Sequence, residues 1–169
     1  EKINPQFIGD RHPEVDKNKI DFLEHKVSVK HGTIGTYGKL LRFVENNDLS
    51  QPDNFRQLGE LMDIDNYQRL QIAQTYFDNP DAGGNIRFWR PQTPEGRWRW
   101  ILYDVDQGFS LHSEDGYTRN TLAFYTAANG PSWPNPPWST LLQRKLLANP
   151  EYRRLFANRT LDYLHTDFS

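Results

Sequence analysis

The chain has 169 residues, the size of one domain, and its 36% hydrophobic and 14% aromatic content is enough to build a core. A formal net charge of −2 argues against nucleic acid or an anionic membrane as a partner. The absence of cysteine excludes disulfides, zinc ribbons and thiol catalysis, and no apolar run is long enough to span a bilayer.

Residues 1–16 carry Pro5, Gly9 and Pro13 and read as an extended opening segment, with Ile3, Phe7 and Ile8 packing on the domain. In residues 17–31 the alternation of VSVKHG predicts a short strand. From Thr36, Tyr37, Leu40, Leu41 and Val44 fall on one helical face. Pro52 opens a second helix with Phe55, Leu58, Leu61 and Met62 as its apolar stripe. Asp65 and Gln68 have the spacing of a capping box for a third helix, which buries Tyr67, Leu70, Ala73, Tyr76 and Phe77. Pro80 and Gly83-Gly84 end it near Asp78.

A β-hairpin follows. Ile86 and Phe88 alternate with Arg87 and Trp89, and Trp98, Trp100 and Leu102 alternate with Arg99, Ile101 and Tyr103. PQTPEG between them suits a turn of several residues, and Arg99 is expected on the face opposite the two tryptophans. Residues 107–137 read as a long irregular loop. The last two helices carry Leu141, Leu142 and Leu146, then Tyr152, Leu155, Phe156 and Leu164, with Asn149-Pro150 as N-cap and first helical residue. The expected class is α+β, mostly helical, with a central hairpin.

The chemistry gathers at the open end of that hairpin. A hairpin brings its two outer ends side by side. The loop before it offers Asp78, Asp81 and Asn85, and the turn after it offers Asp104 and Asp106. Such a set of hard oxygen ligands suits Mg²⁺, Mn²⁺ or Ca²⁺. Asp-x-Asp alone is a weak motif, equally well read as a strand end with solvated acids. The context sharpens it. Phosphoryl transfer needs an acid to orient the attacking hydroxyl, and an asparagine and an aspartate to hold metal on the phosphates. Acid, asparagine, hairpin, aspartate is the order in protein kinases. Elsewhere the signals are weaker. The five histidines show no paired ligand spacing and read as surface residues. Gly83-Gly84 lacks the strand-to-helix context of a P-loop. Trp89, Trp98, Trp100, Trp133 and Trp138 allow a sugar-stacking platform, against the default of hairpin packing.

YFDNPDAGGN, IRFWR and RWRWILYDVDQGF together resemble the CotH (spore-coat protein H) kinase family, which is atypical and protein-kinase-like. EKIN resembles the family's segment between two lobes, and LLQRKLLANPEYRRLFANR its helical tail, so the resemblance spans nearly the whole chain. It implies a kinase-like C-terminal lobe over residues 1–169, a single domain that is a piece of a longer protein lacking the N-lobe; the start at Glu1 rather than Met agrees. By position, Asp81 matches the family's catalytic-loop aspartate and Asn85 its metal-facing asparagine. Asp104 matches the principal metal aspartate and Asp106 its neighbour. The implied cofactors are ATP and Mg²⁺ (or Mn²⁺ or Ca²⁺), and the implied partner is a protein substrate with Ser or Thr. The implied setting is extracytoplasmic or on the bacterial cell surface. Ala82 stands where the family usually has Trp, and the loop is one residue shorter, which keeps Asp78 as a second candidate base. The alternatives are a pseudokinase-like scaffold with a structural metal and a Trp-rich carbohydrate-binding module. The sequence sets no oligomeric state.

Overall fold

A computed structural model describes residues 2–111, 114–131 and 135–168. The fold is α+β, as expected. In chain order it runs α1 (Pro5–Arg11), β1 (Ile20–Glu24), β2 (Ser28–His31), α2 (Gly35–Asn46), α3 (Pro52–Leu61) and α4 (Ile64–Phe77). Then come β3 (Arg87–Pro91), β4 (Arg99–Ile101), a 3-10 turn at Gly116–Thr118, α5 (Thr121–Tyr125), α6 (Pro137–Leu146) and α7 (Pro150–His165). The four strands form one antiparallel sheet in the order β2-β1-β3-β4.

The strands β1 and β3 are covered on both faces because they carry apolar residues at successive positions, whereas β2 is largely exposed. Leu23, Phe88 and Trp100 point into the main core with Tyr37, Leu40, Leu58, Tyr67 and Tyr152. Phe22 and Trp89 point the other way and pack with Ile8 and Ile20. The hairpin register places Phe88 opposite Trp100 and Trp89 opposite Arg99, so Arg99 does lie opposite the neighbouring tryptophans. Its guanidinium reaches Asp63 at 3.1 Å.

The outer edge of β4 and of Trp98 before it is closed by the link from α3 to α4 and by the first turn of α4. Trp98 N–H donates to Leu61 O at 3.0 Å, and Asp63 N–H donates to Trp98 O at 2.9 Å. The Asn66 side chain then takes both main-chain groups of Trp100, accepting from its N–H at 2.6 Å and donating to its carbonyl at 3.1 Å. An edge strand's free N–H and C=O groups are thereby satisfied. The start of α4 is pinned beside the start of β4, so the end of α4 falls beside the end of β4.

Several expectations are corrected. The opening segment is not extended. Asn4 caps α1 by accepting from Phe7 N–H at 3.0 Å, with Pro5 at the first helical position. The strand at 28–31 is present, but its partner β1 was not anticipated, because Ile20, Asp21, Phe22 and Leu23 are all buried and show no alternation. The cap of α4 is Asp63, which accepts from Asn66 N–H at 3.0 Å, and not Asp65. Asp65 instead pairs with Arg69 and Arg159. The stretch 107–137 is not all loop, since Asn120 caps the short α5. In α7, Tyr152 and Phe156 are buried, whereas Leu155 and Leu164 are exposed because they lie off the face that meets the core.

Candidate active site

The loop after α4 is a wound turn. Asp78 terminates the helix in the left-handed conformation at φ 49°, and its N–H still donates to Gln74 O and Thr75 O. Ala82 N–H donates to Asn79 O at 3.3 Å, and Gly84 and Asn85 N–H both donate to Asp81 O at 3.0 Å. Four residues of helical winding place Asn85 above Asp81. The Asn85 amide accordingly donates to Asp81 Oδ2.

The acidic turn after β4 is bent at its first acid. Asp104 has φ 55°, a left-handed conformation that a non-glycine residue adopts at a cost of about 1–3 kcal/mol. Straight strand geometry would send Asp104 and Asp106 to opposite faces. The bend instead keeps Asp106 near enough for its charge to raise the Asp104 carboxyl. The far side of the turn docks on the end of α4, where Phe109 N–H donates to Phe77 O at 2.6 Å. Gly108 packs so closely there that a Cβ would stand 2.6 Å from Phe77 O.

Loop and turn therefore meet. Burial raises the Asp81 carboxyl above its ordinary pKa, and the charges of Asp104 and Asp106 raise it further. Asp104 is raised by burial, then by Asp106, while Tyr103 and Arg87 pull it down. Asp81 Oδ1 is buried with no hydrogen-bond partner. Arg87, whose charge lowers Asp104, is committed elsewhere: it binds Glu24 at 2.9 Å, Ile3 O at 3.1 Å and Tyr103 Oη at 3.2 Å. Among the described residues, no group of three or more His, Cys, Asp or Glu is arranged to hold a metal ion.

Of the residues singled out in the sequence, Asp81, Asn85, Asp104 and Asp106 lie together. Asp78 turns away, and its Oδ1 accepts from Thr121 Oγ1 at 3.0 Å and Arg119 at 3.2 Å. Trp89, Trp98 and Trp100 are 3%, 1% and 3% exposed, so they pack the hairpin and offer no sugar-stacking surface. Trp138 packs edge-on against His25, and Trp133 lies outside the described residues. Three residues at the site were not anticipated. His25, read as a plain surface residue, sets its ring Nδ1 3.2 Å from Gly84 O. Tyr125 donates its hydroxyl to Asn79 O. Asn79 itself is fully buried. The DNPD run could have flagged Asn79, but its partners lie too far off in sequence for any pattern to show them.

An α+β chain with an acid–asparagine loop and an acidic turn at one hairpin end is a kinase-like arrangement of parts. The family model described as CotH kinase protein matches residues 5–169, and the chain belongs to that family. No curated protein and no solved structure matches the chain.

Proposed function

We propose that the chain is the C-terminal lobe of an atypical protein kinase of the CotH type, which transfers the γ-phosphate of ATP to a protein Ser or Thr hydroxyl. Family membership supports the kinase-like class. The observation that carries the finer reading is the meeting of Asp81, Asn85, Asp104 and Asp106 at one end of the hairpin, with Asp81 and Asp104 raised by burial and by neighbouring charge.

The donor set fits a hard divalent ion. Mg²⁺ needs only one or two protein carboxylates and completes its shell with water and phosphate, so a preformed cage of three acids is not required. The buried, unpartnered Asp81 Oδ1 and the raising of Asp81 by Asp104 and Asp106 mark negative charge that the protein leaves unbalanced. Asn85 and Asp104 would hold the ion, with Asp106 beside Asp104. A bound divalent ion supplies charge neutralisation on the phosphates. Asp81 would accept a hydrogen bond from the substrate hydroxyl and orient it in line. Its raised carboxyl makes it a stronger base than an exposed aspartate. Asn85, bonded to Oδ2, fixes the plane of that carboxyl.

The family's name links it to the spore coat, which supports a surface setting, and no described helix is long and apolar enough to cross a membrane. The test is phosphotransfer by the full-length protein, alongside thermal unfolding with Mg²⁺ or Mn²⁺ and ATP. Asp81→Ala and Asp104→Ala should each lower the rate by roughly 10²–10⁴. A melting shift needing both metal and ATP, lost in Asp104→Ala, is the expected result. A shift with metal alone, with no phosphotransfer, would replace this reading by a pseudokinase-like scaffold.

A further inference from the structure

Asn79 is fully buried, and every polar atom it has is used. Its Nδ2 donates to Gln74 Oε1 at 2.9 Å and to the main-chain carbonyl of Asp104 at 3.3 Å. Its Oδ1 accepts from Asp81 N–H at 3.2 Å. Its own N–H donates to Gln74 O at 3.3 Å, and its carbonyl accepts from Ala82 N–H and from the Tyr125 hydroxyl. The amide orientation is fixed by these partners, since a flip would set its oxygen against two oxygens and its NH₂ against an N–H.

One side chain thus grips the main chain of both acids. It holds the N–H of Asp81 with one arm and the carbonyl of Asp104 with the other, across 25 residues of sequence. The carbonyl it holds belongs to the residue in the left-handed conformation, φ 55°. Gln74, on the last turns of α4 and itself buried, anchors the amide from behind. We propose that Asn79 is a positioning residue that sets the separation of the Asp81 and Asp104 carboxylates, and that it does so by joining the loop and the acidic turn to the end of α4. The inference rests on the metal-dependent reading above. Groups one shell out from metal ligands typically change metal affinity 10–100-fold when removed, and a misplacement of about 1 Å at a reacting centre costs on the order of 10² in rate.

The experiment is a titration of the full-length protein with Mn²⁺, followed by electron paramagnetic resonance, beside thermal unfolding of each variant. Asp104→Ala should abolish Mn²⁺ binding. Asn79→Ala should weaken it roughly 10-fold or more in protein that is still folded at the temperature of measurement. A purely structural role would lower the melting temperature and leave Mn²⁺ affinity of the folded protein alone. Gln74→Met removes only the anchor of the amide and is the variant that decides if Asn79→Ala does not fold; about a threefold or greater weakening is expected. Binding lost in Asp104→Ala but unchanged within twofold in the folded Asn79 or Gln74 variant would overturn the inference while leaving the metal site standing. Binding unchanged in Asp104→Ala would bring down the metal reading and this inference with it.

Discussion

The two ends of the β3–β4 hairpin each hold buried or half-buried aspartates, and the two groups are built in opposite ways. At the closed end sits Asp21, 2% exposed. Its Oδ1 accepts from Gln92 Nε2 at 2.8 Å and Thr33 N–H at 2.9 Å, and its Oδ2 accepts from Thr36 Oγ1 at 3.1 Å with Arg90 at 3.9 Å. Gly32 beside it, at φ 72°, leaves no room for a Cβ, which would stand 2.5 Å from both Asp21 Oδ1 and Ile20 O. At the open end, Asp104 and Asp106 raise the Asp81 carboxyl, the buried Asp81 Oδ1 has no hydrogen-bond partner, and Arg87 is bound to Glu24. A carboxylate whose donors come from four separate residues is a fastener between β1, the turn to α2, α2 itself and the hairpin loop. A carboxyl raised by neighbouring carboxylates, as Asp81 is, is held beside them by the fold against their repulsion. A buried charge is retained for structure when it is satisfied, and it marks a place for something else when it is not.

The comparison breaks first at Asp21. Asp21→Ala leaves the Thr33 N–H, the Gln92 amide and Arg90 without their acceptor, and should cost about 3–5 kcal/mol. For a chain of 169 residues that is a fall of roughly 6–20 °C in melting temperature. Urea unfolding of Asp21→Ala against the parent chain measures it. A loss below about 1 kcal/mol would mean that Asp21 fastens nothing and that the contrast is false.

Arg87, the first residue of β3, sharpens the contrast from the open end of the hairpin. Glu24 is held below its ordinary pKa of 4.5 by its hydrogen bond to Lys30, then by Arg87. A carboxyl lowered in the folded state adds stability that is present above 4.5 and lost as pH falls through its folded value. Arg87→Met should therefore cost about 1–2 kcal/mol at pH 7 and make the acid limb of the stability curve shallower. Thermal melts between pH 2 and about 7 would show this, and an acid limb as steep as the parent's would count against the pair.

The hairpin was legible in the sequence because aromatic residues alternate along both strands, and the closeness of the loop before it to the turn after it followed from its geometry. The stripe of α2 was legible for the same reason, as was the Asn149 cap of α7, where the side chain accepts from Tyr152 N–H at 3.0 Å. The same asparagine–proline signal at Asn4-Pro5 was passed over because α1 buries only Ile8 and shows no stripe. β1 was missed because a strand covered on both faces has no alternation to read. In α4 the apolar pattern found Tyr67 and Leu70, but Gln68, Gln71 and Gln74 are also buried. Polar residues enter a core through hydrogen bonds to distant partners, as Gln68 does with Arg159 at 2.7 Å and Tyr152 O at 3.4 Å, and periodicity carries no trace of such bonds. Asn79 is the same case at the site itself.

The smallest effect is the most specific to the open end. Asp104 is raised above its ordinary value of 3.8, chiefly by burial and by Asp106. A carboxyl raised in the folded state favours folding in its protonated form. That contribution is complete below 3.8 and is lost as pH rises through the folded value, so at pH 7 the ionised cluster works against the fold. Asp104→Asn removes one of the repelling charges while keeping the size of the side chain. Without divalent ion it should be more stable than the parent at pH 7 by about 0.5–1 kcal/mol, and the difference should vanish below pH 3.8. Adding Mg²⁺ should reverse the order, because the parent gains by binding and the variant does not. Asp21→Asn, measured in parallel, should lose stability at pH 7 and gain nothing from Mg²⁺. If both asparagine variants respond alike to pH and to Mg²⁺, the two ends of the hairpin are not the different devices described here.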